Sequence, residues 1–424
     1  MIKTIGIRRE DKNCWEKRVP IVPSDVAKLV QQGIAVQIQP SSIRCFTDQE
    51  FIDAGATVIE DLHEAEFLLS VKEMPISFIQ ANKPHLFFSH TIKAQPYNMD
   101  MLRHIVQQKA TLLDYERIVN EKNQRLIAFG RFAGLAGAID ALHFLGQRWK
   151  VQGKDTPFLQ VKTAHEYENV EEAKQSIQNV TQTLQQNGWG EIDRFLIVIP
   201  GYGNVSKGVQ EIISLLPLEK ISASDIAADP VGRYAYAILE EKDMVEPKDP
   251  NQPFVLSEYY TQPEKYKGKF NTYLPYIDLL INTIYWEEKY PRLVTIHDLE
   301  TISTKLTVIA DISCDVNGSI ECTIKSTDPG NPCFVYNAKT KTAQDGIQGE
   351  GVLVLAVDIL PAEFSKDASE YFSQILMTFL PDICKADFLK TLDESNLPDP
   401  IKTAAIVWQG KLTPNYQYLE SHIQ

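Results

Sequence analysis

No stretch of the chain is apolar for long enough to cross a bilayer. The run GVLVLAVDIL near the C-terminal end covers residues 351–360, half of the roughly 20 that a spanning helix needs. The opening MIKTIGIRRED has no apolar core of a secretory signal. Basic residues are in deficit: 42 Lys and Arg against 56 Asp and Glu leave a net charge of −14. Nucleic acid and anionic membrane are therefore poor partners, and an anionic ligand requires a local basic pocket. The six cysteines, Cys14, Cys45, Cys314, Cys322, Cys333 and Cys384, show no CxxC or CxxH spacing. That excludes a recognisable metal or redox motif and leaves reduced thiols, packed as small hydrophobes, in a protein expected to be cytoplasmic. Internal repeats and low-complexity tracts are missing too.

With 44% apolar and 23% charged residues the composition is that of a globular protein. Its 424 residues exceed one ordinary core and suit two substantial domains. TIGIRRE reads as a strand. PSDVAKLVQQG reads as a helix, with Ser24 as N-cap, Val26, Leu29 and Val30 at helical spacing and Gly33 as terminator. IAVQIQ alternates as a strand does, so the chain opens β-α-β, the start of a parallel sheet. EFLLSV runs into Lys72, HLFFS ends at His90, and ATLLDYE ends near Asp114 and Glu116. Ligands of parallel α/β sheets sit beyond the carboxyl ends of the strands. Three titratable groups at successive strand ends predict a functional cleft holding Lys72, His90 and Glu116.

RFAGLAGAIDALHFLGQRW is a helix rich in small residues, and the polar stretch 150–190 reads as a connecting helix and loop. DRFLIVIPGYGNVSKGVQEIISLLP then gives a strand, a glycine loop and an amphipathic helix. Gly201 and Gly203 supply the tight turn and the close approach to a pyrophosphate, with Asn204 and Val205 opening the helix. The third glycine of the dinucleotide fingerprint is missing: Ser206 stands there, and Gly208 comes two places late. EKISASDI offers no acid at a strand end for a ribose diol, whereas Lys220, Ser222 and Ser224 suit a 2′-phosphate. NADP(H) is favoured on that ground, with NAD(H) possible. Residues 226–275, rich in Pro, Tyr and charge, read as an insertion over the sheet. DLLINTIYW, LTVIADIS and GVLVLAVDIL add three strands, with Asp311, Asp315 and Asp358 at or beyond their ends; Asp311 is a candidate cofactor contact. The last helix, ASEYFSQILMTFLPDI, carries Tyr371, Phe372, Ile375, Leu376 and Phe379 on one face and is expected to return to the first domain. The expected fold is α/β, two Rossmann-like domains with parallel sheets flanking a central cleft. Residues 1–144 with 372–424 would form the substrate and catalytic domain, and 145–371 the dinucleotide-binding domain.

Longer strings narrow the reading. IGIRREDKNCWEKRVPIVP, FFSHTIKAQPYNM, LLDYERIV, AFGRFAGLAGAIDALHFLGQR, GYGNVSKGVQEI, LINTIYWEEKYPRLVT, ADISCDVNGSIECT and VDILPAEFSKDASEYF span nearly the whole chain. They resemble the lysine–ketoglutarate reductase family, that is, lysine-forming saccharopine dehydrogenase. This is the reductase half of the bifunctional α-aminoadipic semialdehyde synthases, in the alanine dehydrogenase/transhydrogenase-like superfamily. The resemblance implies reversible, NAD(P)H-dependent condensation of L-lysine with 2-oxoglutarate to saccharopine, in lysine metabolism. It implies Lys72 and His90 as the acid–base pair and Arg18 as a substrate-binding arginine. Lys93 and Arg131 are further candidates for substrate carboxylates. Glu73 and Glu116 are candidates for holding the lysine ammonium or tuning Lys72. Asp358, with Leu360 beside it, lies where the family places residues near the nicotinamide. Arg9, Lys12 and Lys17 read as solvent charges. His165 of TAHEY matches AHNY of the bifunctional enzymes but nothing obvious in the fungal ones, and is given no catalytic role. Small-molecule substrates, a homo-oligomer and a separate saccharopine-oxidising enzyme are the partners expected. An alanine-dehydrogenase-like enzyme and a catalytically inactive nucleotide-binding regulator are the alternatives.

Overall fold

The computed structural model describes residues 1–228 and 232–424. The chain divides into two units, Met1–Phe129 with Ser365–Gln424, and Gly130–Phe364. The sequence reading put these seams at 144/145 and 371/372. They fall earlier because two helices go over whole: Gly130–Val151 packs in the second unit and Ser365–Leu376 in the first.

In the first unit β1 (Thr4–Ile7), α1 (Pro23–Gln31), β2 (Ala35–Ile38), α2 (Asp48–Asp53), β3 (Thr57–Val58), β4 (Phe67–Leu69), β5 (Pro84–Phe87), α3 (Pro96–Gln107) and β6 (Thr111–Asp114) follow one another. The strands pair in parallel in the order β3-β2-β1-β4-β5-β6. Every residue of β4, β5 and β6 is buried, as expected for parallel strands covered on both faces. Strand Ala405–Trp408, from the C-terminal segment, adds antiparallel to β6. Ser24 is not the N-cap of α1. Val22 holds that place without a side-chain bond, and Pro23 occupies the first turn, where its fixed φ suits a helix start and its missing N–H costs nothing. Gly33, at φ +81°, ends the turn after the helix as expected.

In the second unit α4 (Gly130–Val151), α5 (Val170–Asn187), β7 (Phe195–Pro200), α6 (Asn204–Ile213), β8 (Glu219–Ile221) and β9 (Tyr234–Leu239) lead into β10 (Val245–Pro247) and β11 (Tyr266–Gly268), a small antiparallel ribbon. Then come β12 (Leu279–Asn282), β13 (Val308–Asp311), β14 (Cys333–Asn337), β15 (Thr342–Asp345) and β16 (Val352–Leu355). The large sheet runs β15-β14-β16-β13-β12-β7-β9-β8 and is parallel except at β14, which runs antiparallel to both of its neighbours. The expected insertion therefore contains an internal strand. YAYAIL buries Ala235, Ala237 and Leu239 at period two and pairs with β7 along its whole length, while EKI lies outside it at the edge.

Helices α4 and α6 meet through glycine. A Cβ on Gly134 would stand 2.0 Å from the Val205 carbonyl oxygen, and one on Gly208 would stand 2.1 Å from that of Arg131. Gly208 thus does the close-packing work of a fingerprint's third glycine, two places later than the usual spacing. Deeper in the unit the carboxyls of Asp140 and Glu363 face each other, and His165 Nδ1 lies 3.7 Å from Glu363 Oε2. Burial pushes Glu363 up to about 7; burial and then the charge of Glu363 push Asp140 well above the carboxylate range.

Two outcomes are expected. Gly208→Ala should destabilise the protein by about 2–3 kcal/mol, read as a lowered denaturation midpoint, because a backbone carbonyl cannot rotate out of the way. For Glu363, a carboxyl whose folded pKa of about 7 exceeds its ordinary 4.5 makes the folded state bind protons more tightly across that window. Its contribution to stability is full below pH 4.5 and is lost as pH rises through 7, on the order of 2–3 kcal/mol. The wild type should lose more melting temperature than Glu363→Gln between pH 5 and 7.5; parallel curves would contradict the assignment.

Candidate active site

Lys72 follows β4, His90 follows β5, and the two strands are paired neighbours. Glu73 joins their ends: its Oε1 lies 2.6 Å from His90 Nδ1. Burial alone would raise the Glu73 carboxyl, but the His90 hydrogen bond and charge bring it down to about 2. Burial lowers the Lys72 amine, and the Arg18 guanidinium lowers it further. The amine makes no ion pair among the described residues, and burial and the Arg18 guanidinium both disfavour its charged form.

His90 has φ +50° and Ala94 φ +51°, a left-handed backbone that non-glycine residues adopt at a cost. The loop is held by its surroundings. Asn98 Nδ2 donates to the carbonyls of Ser89 and His90 at 2.9 and 3.3 Å. The Ser89 N–H donates to Asp114 Oδ2 at 3.0 Å, and its hydroxyl bonds the same carboxylate. The Phe88 ring stacks 6.3 Å from the imidazole.

Arg18 is 4% exposed, lies 4.3 Å over the Phe129 ring and meets Glu16 side-on, Nε and Nη2 donating at 2.7 and 2.6 Å. That geometry leaves the Nη1 edge of its fork open to a carboxylate. Arg18 also keeps the buried Glu16 ionised: burial raises that carboxyl, and the guanidinium more than reverses it. Lys93 is exposed on the loop three residues past His90. Glu116 is buried and ion-paired with Arg125. Lys12, read as a solvent charge, lies 3.5 Å from Glu73.

Three expectations need correction. Arg131 lies in the second unit with its fork on Glu211, at 2.6 and 2.7 Å, an ion pair that ties α4 to α6. Asp311 is 1% exposed and accepts from Asn282, Ser313 and Thr323 at 2.7–2.8 Å. It braces the loop after β13, and its oxygens are spent within the protein. An acid does stand beside the glycine loop: Glu240 follows β9, the neighbour of β7.

The glycine loop fits a nucleotide on its own geometry. Gly201 has φ +97°, and a Cβ there would stand 2.8 Å from Thr283 Oγ1. At Gly203 a Cβ would meet nothing within 4 Å, so the backbone lies open. The N–H groups of Asn204 and Val205 begin α6 and are without intrahelical partners, which suits a pyrophosphate. A cavity of about 380 Å³ lined by Gly201, Asn204, Tyr260, Thr283 and Tyr285 adjoins this loop. A second basin, of about 710 Å³, lies at the ends of β8 and β9 between Ser222, Lys207, Lys220, Glu240 and Lys242. Asp358 is exposed beyond β16, and Leu360 is buried two residues on.

Sequence reasoning passed over Glu10, Glu16, Asn98 and Glu240. Glu10 and Glu16 stand in a stretch whose Arg9, Lys12 and Lys17 read as solvent charges. Glu240 was legible only had YAYAIL been taken as a strand.

The description "Alanine dehydrogenase/PNT, N-terminal domain" matches residues 6–136, and the C-terminal domain of the same family matches 254–415. An α-aminoadipic semialdehyde synthase of Arabidopsis thaliana is 36% identical over 98% of this chain and 41% of its own length. The mitochondrial α-aminoadipic semialdehyde synthase of Mus musculus is 34% identical over 98% of this chain and 47% of its own. The chain thus spans less than half the length of these relatives. A saccharopine dehydrogenase [NAD(+), L-lysine-forming] of Emericella nidulans is 27% identical over 89% of this chain and 91% of its own. Among solved structures an L-alanine dehydrogenase superposes with a TM-score of 0.60 at 18% identity, over 99% of this chain and 100% of that one. That likeness concerns the fold, which is α/β with two mainly parallel sheets as expected. The two matched domains are the halves of one family, and the chain belongs to it: the alanine dehydrogenase/PNT family.

Proposed function

We propose that the chain is an oxidoreductase acting on a CH–NH bond. In this reading it condenses L-lysine with 2-oxoglutarate and reduces the imine to saccharopine, reversibly, with a nicotinamide coenzyme. The observation that carries the proposal is the constellation at the ends of β4 and β5, a depressed lysine amine beside a carboxylate-held imidazole. It is supported by relatives named for α-aminoadipic semialdehyde synthesis and for lysine-forming saccharopine dehydrogenation.

Imine formation needs one group to take a proton from the incoming ammonium and another to give protons to the departing oxygen. Lys72, with its charged form disfavoured, takes the proton. His90, oriented through Nδ1 by Glu73, presents Nε2 as the donor to the carbinolamine oxygen, which leaves as water. The Nη1 edge of Arg18 holds a substrate carboxylate, and Lys93 serves as an exposed second cation. When bound, a dihydronicotinamide would supply hydride to the imine carbon. Gly201, Gly203, Asn204 and Val205 would hold its pyrophosphate.

The coenzyme we favour is NADP(H). Glu240 is already engaged, capping the turn at residues 241–244 and lying 2.9 Å from Lys242 Nζ, whereas Lys207 and Lys220 line the same basin as cations for a 2′-phosphate. A cytoplasmic location is part of this reading, supported by six free cysteines.

Lys72→Met and His90→Gln should each lower kcat by roughly 10²–10³ with smaller changes in KM, followed by NADPH absorbance with lysine and 2-oxoglutarate. Undiminished turnover in either variant sinks the assigned role, and turnover only with ammonia and pyruvate would favour an alanine-dehydrogenase activity. Lys220→Ala should raise KM for NADPH by about tenfold while sparing NADH, and Glu240→Ala should leave NADPH unaffected. A variant of Lys220 that shifts both coenzymes equally would contradict the choice.

A further inference from the structure

Lys72 and Glu73 sit on the loop Ser70–Pro75 between β4 and the short turn Ile76–Phe78, with no regular secondary structure to hold it. Three of its backbone contacts are to neighbours in the sheet or within the loop. The Ser70 N–H donates to the Leu86 carbonyl at 3.3 Å, the Val71 carbonyl accepts from the Phe88 N–H at 3.0 Å, and the Lys72 carbonyl accepts from Ser70 Oγ at 2.6 Å. The N–H groups of Val71 and Lys72 are the ones the sheet leaves over, and Val71 is fully buried.

One side chain takes both. Glu10, three residues past β1, is 6% exposed, and its Oε1 and Oε2 accept from the N–H groups of Val71 and Lys72 at 2.6 and 3.1 Å. Two consecutive donors directed to one side match a carboxylate, the one side chain with an acceptor oxygen for each. The arrangement is costly in charge. Burial first, and Glu16 next, push the Glu10 carboxyl up to about 8, and the hydroxyl of the fully buried Tyr115 adds a polar group in its surroundings without a partner of its own among the described residues. An apolar residue in its place would fill the space but leave both N–H groups without an acceptor, so the acid is kept for the two bonds it makes to this loop.

We propose that Glu10 is the positioning residue of the proton-transfer pair, clamping the backbone of Val71 and Lys72 so that the Lys72 amine and the Glu73–His90 bond are held in one register. The inference rests on the reading of Lys72 and His90 given above. It deepens that reading, because neither side chain is anchored by its own contacts alone. Lys72 reaches its place from a backbone that Glu10 holds, and His90 is oriented by a carboxylate on the next residue of that backbone.

Glu10→Gln tests it. The amide is the same size, but its NH₂ faces a backbone donor, so only one of the two bonds survives. The expected result is a kcat lowered about tenfold or more with KM for lysine and 2-oxoglutarate within about twofold, and a changed rate of Lys72 labelling. The latter is read by peptide mass spectrometry after treatment with an amine-directed reagent over a pH series. Labelling needs no turnover, so altered Lys72 labelling in Glu10→Gln, found together with a wild type that makes no saccharopine, would uphold the clamp and reject the reaction. Normal kcat and normal Lys72 labelling in a folded Glu10→Gln protein would overturn the clamp. So would a kcat loss that merely tracks the folded fraction while Lys72 labelling is unchanged. If Glu10→Gln does not fold, Glu10→Asp, which shortens the reach to one N–H, carries the same two readouts.

Discussion

The 2.6 Å contact between Glu73 and His90 joins the ends of two neighbouring parallel strands and makes one group out of what would otherwise be two loops. Its strength depends on burial: a carboxylate brought down to about 2 in a partly desolvated place holds an imidazole more firmly than it could in water. The loop carrying His90 pays for this with a left-handed backbone at His90, which persists because Asn98 and Asp114 bind the adjacent peptide groups.

Charge in the first unit is organised as alternating buried acids and bases. Arg18 holds the Glu16 carboxyl down and helps to depress Lys72, while burial and the charge of Glu16 push the Glu10 carboxyl up to about 8. Such a cluster lets neighbouring groups of the same type differ in protonation at one pH, which acid–base chemistry requires.

The second unit solves a packing problem instead. Two helices approach so closely that each needs a glycine facing the other's backbone, at Gly134 and Gly208, and the ion pair of Arg131 with Glu211 closes the same contact. This seats α6 behind the glycine loop, with its amino end at the end of β7. The late position of Gly208 follows from where α4 crosses, not from the nucleotide.

Much of this was legible in advance. Apolar runs that stop at Lys72, His90 and Glu116 announce parallel strands with chemistry at their ends, because period and burial are local properties of the chain. The glycine loop and the small residues of α4 were visible for the same reason. The order of strands was not: YAYAIL and EKI are both plausible neighbours of β7, and only side-by-side pairing shows that Glu240, not the serines after β8, follows the adjacent strand. Nor could spacing tell that Arg131 pairs with Glu211, 80 residues away, or that Asp311 accepts from Asn282 and Thr323, 29 and 12 residues away, as well as from nearby Ser313. The amino-acid sequence alone thus determined the fold class and the strand ends after which Lys72 and His90 stand. Which charged groups face a ligand and which face one another was decided by the tertiary structure, because hydrogen bonding and desolvation depend on neighbours that come together only on folding.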